Sequence, residues 1–275
     1  MKFGMPTLVE CKDIFECADV AVKNKLDFIE INMSFPQYQA SSMSTDSLVS
    51  LSKRTGLFFT IHADEQLNPF DFNPAVSECY FGVMRDTIRF AKAIGAPVIN
   101  MHLLKGVYVT LPGKVVLLTD VYFEDYVTRV RTFIEMCEHE IGDAPLKIAI
   151  ENVDSNPFTD SQLKALELFM KSPVFALTLD TGHEMCLKNA DSHVFSRYPD
   201  KLLHMHLHDS DGKSCHHALG DGKLDISAKL SALKGNTCLI EVKTIAGLEK
   251  SIKFLEIYNE KLHQRRNTQH FKIHR

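Results

Sequence analysis

Three histidines, His204, His206 and His208, alternate along the run LLHMHLHD, which otherwise has the composition of a buried strand. Alternation places all three on one face of a strand. An imidazole there costs free energy unless it is hydrogen-bonded or ligated. Candidate partners recur at the ends of other short apolar runs: Glu30 and Asn32, His62, Asn100 and His102, Glu151 and Asn152, Asp180 with His183, and Glu241 with Lys243. Carboxylates gathered at one buried point are expensive unless they are paired or bound to a cation. Neutral imidazole combined with carboxylate suits Zn²⁺, Mn²⁺, Co²⁺ or Fe²⁺ better than Ca²⁺. A divalent cation held by Glu151, Asp180, His206 and Glu241 would account for the ensemble. His206 is then the member of the alternating trio expected to reach the ion. His204 is expected to be a hydrogen-bonded core residue, and His208 to support the site or meet a substrate. Glu30 is expected either to pair with a basic group on a neighbouring strand or to join the site, and Asp209 to hold the turn that follows it.

Those residues need elements to position them. Eight short apolar runs read as strands: 2–5, 28–33, 57–63, 97–103, 147–153, 175–181, 202–209 and 238–243. Several are apolar on both faces, as strands of a covered parallel sheet are. Helical patterns lie between them. One follows Asp13, a candidate N-cap. One ends at Gly95 with Pro97 just beyond, one spans 121–142, one starts at Asp160 as N-cap, and one follows the last strand. Segments 191–198 and 225–234 read as short helices. Strands alternating with helices, without a break in composition, predict an α/β chain folded as one (β/α)₈ barrel over 1–260, with its chemistry at the C-terminal strand ends. A doubly wound sheet would announce a nucleotide site with a glycine-rich first turn, and none is present. The longest irregular stretches, 34–45, 64–73 and 104–119, all follow strands, where a barrel keeps its working loops.

The totals are those of an ordinary globular protein: 275 residues, 45% hydrophobic and 24% charged, with a net charge of −4. Nothing in that balance advertises nucleic acid or an anionic membrane. The stretch 261–275 holds Lys261, Arg265, Arg266, Lys272 and Arg275 and no acid, and reads as a solvated basic tail. Seven scattered cysteines without a C-x-x-C spacing point to a reduced, cytoplasmic chain. No export signal and no membrane-length apolar run are apparent.

The segments IEN (150–152), LDTGH (179–183), HMHLHD (204–209), HHALGDG (216–222) and IEV (240–242) together resemble the xylose isomerase-like TIM barrels. That superfamily includes sugar and sugar-phosphate isomerases and epimerases, and endonuclease IV. The resemblance implies a divalent metal, Mn²⁺ or Zn²⁺, on Glu151, Asp180, His206 and Glu241. It implies that Glu151 and Glu241 shuttle a proton through an enediolate, with His183 binding a substrate oxygen or backing the metal. The endonuclease branch adds His62, His102, His183 and His216 as ligands, for one to three ions in all. This chain departs from that branch at Ser214, where an aspartate ligand would stand.

Three features favour a small substrate over DNA. Asp64, Glu65 and Asp71 crowd the loop after His62, the loop after the second strand has no base, and no Arg/Lys stripe lies outside the tail. The expected activity is therefore a metal-dependent sugar or sugar-phosphate isomerase or epimerase, with an endonuclease IV-like phosphodiesterase as the alternative. Lys105 and Lys243 are the cations expected to meet substrate, or else to be rim charges. Barrels of this kind often form homodimers.

Overall fold

Eight parallel strands close on themselves in the computed structural model, which describes residues 1–232 and 237–258. The barrel strands are β1 (Lys2–Pro6), β2 (Phe28–Asn32), β3 (Phe58–His62) and β4 (Val98–His102), then β7 (Lys147–Glu151), β8 (Phe175–Asp180), β9 (Leu202–Leu207) and β10 (Thr237–Ile240). Each pairs with its neighbour in that order, and β10 pairs back to β1. The expected barrel and all eight of its strands are therefore present. A separate antiparallel hairpin, β5 (Tyr108–Leu111) with β6 (Lys114–Leu117), occupies most of the 104–119 stretch read as irregular.

Helices cover the outside: α1 (Ile14–Lys23), α2 (Thr45–Thr55), α3 (Pro74–Ile94), α4 (Leu118–Val121), α5 (Phe123–Ile141), α6 (Asp160–Phe169), α7 (Thr181–Cys186), α8 (Ser192–Arg197) and α9 (Ile226–Ala232). A further helix, α10, is described over 245–258. Asp13 caps α1 as expected, accepting from the Glu16 amide at 2.9 Å. Gly95 ends α3 with φ of 69°, a left-handed conformation that a side chain would disfavour. The N-cap of α6 is Thr159 rather than Asp160. Its hydroxyl and the Gln162 side chain form a reciprocal capping box, and Asp160 is the first helical residue.

The apolar faces of strands and helices merge into one core, with Ile29, Ile31, Ile61, Phe133 and Phe169 among its fully buried members. The barrel lumen is different. Glu30 on β2 contacts His204 and His206 on β9, although β1 and β10 separate those strands in the sheet. Such contacts cross the interior. The lumen is thus polar towards the C-terminal rim, above a small apolar layer of Val98, Ala149 and Ala176. The basic tail, 261–275, lies outside the described residues, and no helix among those described is long and apolar enough to cross a membrane.

Candidate metal centre

The four residues expected to share a cation come from four adjacent strands. Glu151 ends β7, Asp180 ends β8, His206 is the penultimate residue of β9, and Glu241 follows β10. One ligand atom from each lies within 4.8 Å of the others, and all four residues are buried. Nδ1 of His206 stands 3.0 Å from Glu241 Oε2, 3.2 Å from Glu151 Oε1 and 3.9 Å from Asp180 Oδ2. His206 Nδ1 and Glu241 Oε2 are buried without a hydrogen bond. Donors around a first-row divalent ion at about 2.1 Å lie about 3 Å apart, so these spacings and orphaned atoms fit such an ion.

Each carboxylate is aimed by groups behind it. Glu151 Oε2 accepts from the Asn100 amide and faces His62 Nε2 at 3.5 Å and His102 Nε2 at 3.3 Å, which leaves Oε1 towards His206. Glu241 Oε1 accepts from Lys243 Nζ at 2.8 Å and lies 3.3 Å from His216 Nε2, which leaves Oε2 towards His206. Asp180 Oδ1 caps α7, accepting the His183 amide at 2.7 Å. Asn152 ties the ends of β7 and β8 together through its side chain, with bonds of 2.9 Å to the Asp180 amide and carbonyl.

The electrostatics follow from burial opposed by ion pairing. Desolvation works against charge on His206, yet Glu151, Glu30 and Glu241 outweigh it and hold the imidazolium well above its ordinary pKa. Burial likewise opposes the charge of Glu151 and Glu241, and His206 with its neighbours draws both well below the usual carboxylate range. His62 is pushed up to about 9 by Glu151 against the pull of desolvation.

His62, His102 and Glu151 also form a compact ligand group of their own, so the eight expected metal-ligand candidates all lie at one rim. His183 reaches Glu151 Oε1 at 3.6 Å and Asp180 Oδ2 at 3.5 Å. A cavity of about 510 Å³ opens above them, lined by Asn32, Phe35, Glu65, Asp154, His183 and Lys243 among others. Glu65 stands at this mouth as expected and accepts from Asn32 at 3.0 Å, whereas Asp64 lines a separate groove.

Two of the candidate substrate contacts, His208 and Lys105, stand away from the cavity. His208 is fully buried and does not line the cavity. Its Nε2 lies 3.0 Å from Asp180, and its Nδ1 accepts the His216 amide at 2.8 Å, so it donates from Nε2 and props the aspartate from behind. Gly182 makes room for that ring, since a Cβ there would fall 2.0 Å from His208 Cε1. Lys105 also misses the cavity, because its ammonium sits over the Tyr108 ring at 5.2 Å. Ser214 is turned outwards and bonds His217 at 2.8 Å, in keeping with its poverty as a ligand. Asp209 holds the turn after it, accepting from the Ser210, Gly220 and Leu224 amides. Thr60, which gives its hydroxyl to Glu30 at 2.8 Å, escaped sequence reasoning; its signal is a lone polar residue inside an apolar strand.

Solved structures share this architecture. A D-tagatose 3-epimerase-like protein aligns with a TM-score of 0.78 at 22% identity, over 96% of this chain and 99% of that one. An L-ribulose 3-epimerase gives 0.74 at 14% identity over 97% of each chain. The 3-keto-D-glucoside 4-epimerase YcjR of E. coli gives 0.73 at 13%, over 94% of this chain and 99% of that one. An uncharacterized protein of Methanocaldococcus jannaschii is 23% identical over 94% of this chain and 96% of its own length. With the family model described as xylose isomerase-like TIM barrel matching residues 18–258, the chain belongs to that family.

Proposed function

We propose that this protein is a divalent-metal-dependent isomerase or epimerase of an unphosphorylated sugar. The observation that carries the reading is the symmetry of Glu151 and Glu241: each directs one oxygen at His206 Nδ1 and has the other held by side chains of the rim. The similarity to solved sugar 3-epimerases supports it. Three carboxylates with one imidazole suit Mn²⁺, with Zn²⁺ next. When bound, such a cation lowers the pKa of a C–H beside a carbonyl by stabilising the negative oxygen that develops.

The chain's own residues then move the proton. One of Glu151 and Glu241 removes it from the carbon, giving an enediolate, and the other returns it from its own side. Return to the opposite face of the same carbon inverts that centre; return to the neighbouring carbon moves the carbonyl. Lys243 keeps the Glu241 carboxylate aligned, and His183 reaches the cavity where a substrate hydroxyl would lie. A free sugar is preferred over a phosphate because Lys243 is the sole Lys or Arg lining the cavity among the described residues and is tied to Glu241. Glu65 and Asp154, also on the wall, oppose a dianion.

Ketoses incubated with Mn²⁺-loaded protein in deuterated water are expected to gain deuterium beside the carbonyl, and Glu241→Gln to slow that gain by about 10²–10⁴-fold. A panel of ketoses and aldoses that exchanges nothing above background would refute the reading.

One observation favours a second reading. His62 places Nδ1 2.7 Å from the Ala63 carbonyl, which keeps a proton there, so a cation that displaced the Nε2 proton would meet the lone pair beside His102 and Glu151. That group could take a further cation and support phosphodiester hydrolysis. Metal-dependent nicking of duplex DNA at abasic sites would establish it, and an acidic mouth weighs against it.

A further inference from the structure

Next to the centre already described lies a group of donors that uses none of its four residues. Asp154, His183 and Cys215 each contribute one ligand atom, all within 4.8 Å of one another. Cys186 Sγ lies 2.7 Å from Cys215 Sγ, closer than two non-bonded sulfur atoms rest. These residues come from three places: the loop after β7, the helix α7, and the loop after β9. The i,i+3 spacing of His183 and Cys186 puts both on one side of α7.

His183 is prepared for ligation. Its Nδ1 stands 3.1 Å from the Asn152 carbonyl, which can only accept, so the proton sits on Nδ1 and Nε2 keeps its lone pair. The crowded sulfurs have two ways out: a covalent bond, or an ion that spreads them. The surroundings favour the ion, because Asp154 and His183 stand within ligand distance of the Cys215 sulfur and offer an oxygen and a nitrogen beside it. Thiolate, imidazole and carboxylate together form the four-coordinate donor set of Zn²⁺.

We infer that Asp154, His183 and Cys215, with Cys186 beside the Cys215 sulfur, form a thiolate-bearing site for a soft divalent cation of the zinc class, separate from the all-nitrogen-and-oxygen centre on Glu151, Asp180, His206 and Glu241. Asp154 and His183 line the main cavity, so the ion enters from the substrate side. Cys215 immediately precedes His216, whose Nε2 lies 3.3 Å from Glu241. An ion on the sulfur therefore anchors the loop that presents His216 to the proton-transfer machinery.

The test does not depend on the sugar reading. The full chain, reduced and stripped of metal with a chelator, is titrated with Co²⁺. A thiolate-to-cobalt charge-transfer band in the near ultraviolet is expected, saturating at one ion per chain. Cys215→Ser removes it, Asp154→Asn weakens the titration about tenfold, and Glu241→Gln leaves it in place. Zn²⁺ is expected to shield Cys215 of the unsubstituted protein from alkylation by iodoacetamide, a readout that stands even if Cys215→Ser fails to fold. Absence of the band from the unsubstituted protein overturns the inference. So does a band unchanged in folded Cys215→Ser, or a Cys186–Cys215 disulfide that survives reduction. Sugar exchange is measured separately, so either proposal can fail alone.

Discussion

Glu30 Oε1 lies 3.0 Å from His206 Nε2, on the edge of the ring opposite the three carboxylates at the rim. A carboxylate this close favours a proton on Nε2 over one on Nδ1, although no hydrogen bond joins the two atoms as they stand, and an outer carboxylate placed so orients a metal-binding imidazole. Its other oxygen accepts from Thr60 at 2.8 Å and lies 3.1 Å from His204 Nε2, so Glu30 is itself immobilised. Glu30→Gln is expected to weaken Mn²⁺ binding by about 10–100-fold while the chain stays folded. Calorimetric titration checks this, and an unchanged affinity would deny Glu30 its orienting role.

Metal removal should be felt throughout the barrel. Chelation leaves three carboxylates at one buried point around a single imidazole. Thermal unfolding should therefore shift to lower temperature on chelation and return when Mn²⁺ or Zn²⁺ is restored. Asp180→Asn should lose most of that recovery while keeping its cap on α7, because the remaining side-chain oxygen still accepts from the His183 amide.

The metal-free protein should also depend on pH in a definite direction. His62 has its pKa raised to about 9, with His206 raised as well. A raised folded-state pKa contributes stability that is complete below the unfolded value, near 6.5, and lost as pH climbs through the folded value. The melting temperature of the stripped chain is thus expected to fall by about 5 °C or more between pH 6.5 and 9. Metal affinity should rise over the same interval, since the ion displaces those protons. A flat melting profile from pH 6.5 to 9 would contradict the pairing of these histidines with Glu151.

Glu241→Gln keeps the shape of the rim but removes a base. Exchange of the substrate proton with solvent should fall by about 10²–10⁴-fold. Lys243→Met, which takes away the ammonium 2.8 Å from Glu241, should lower turnover by less and move the acidic limb of the pH–rate profile upwards, because the carboxylate loses a cation that favours its ionised form.

Gly182→Ala tests the prop behind Asp180. The added methyl would collide with the His208 ring, and overpacking of this kind costs about 1–3 kcal/mol. Displacing His208 also frees the Asp180 carboxylate, so weaker metal binding should accompany the lower stability. A stability loss with unaltered metal affinity would confine His208 to a packing role.

The barrel and its rim were legible because strand ends mark themselves. An apolar run that finishes in Glu151 or Asp180 is hard to read as anything but a buried strand meeting a site. The helix α2 was less visible: TDSLVSLSKRT is rich in serine and buries Leu48 and Leu51, too short a stripe to stand out. The β5–β6 hairpin was hidden because both arms are exposed or half-exposed, so no alternation of burial marks them. Orientation was the harder matter. His206 and His208 have the same chemistry and the same strand parity, yet the β9 strand ends at Leu207, and beyond it His208 swings behind Asp180. Lys105 follows β4 closely but turns to Tyr108. Asp154, Cys186 and Cys215 carry no shared spacing at all, and only the closed barrel brings them together.

The line from Thr237 through His204 and Glu30 to His206 gives this molecule a polar, ionisable axis where an oily one would hold it together more firmly. A freshly synthesised chain must assemble around that axis before any ion reaches the rim, so its yield in a cell starved of transition metals should lag behind its yield in a replete one. Swapping Glu30 and both histidines for well-packed aliphatic residues would be expected to give a sturdier barrel that catalyses nothing, which locates the cost of the chemistry in the very middle of the fold.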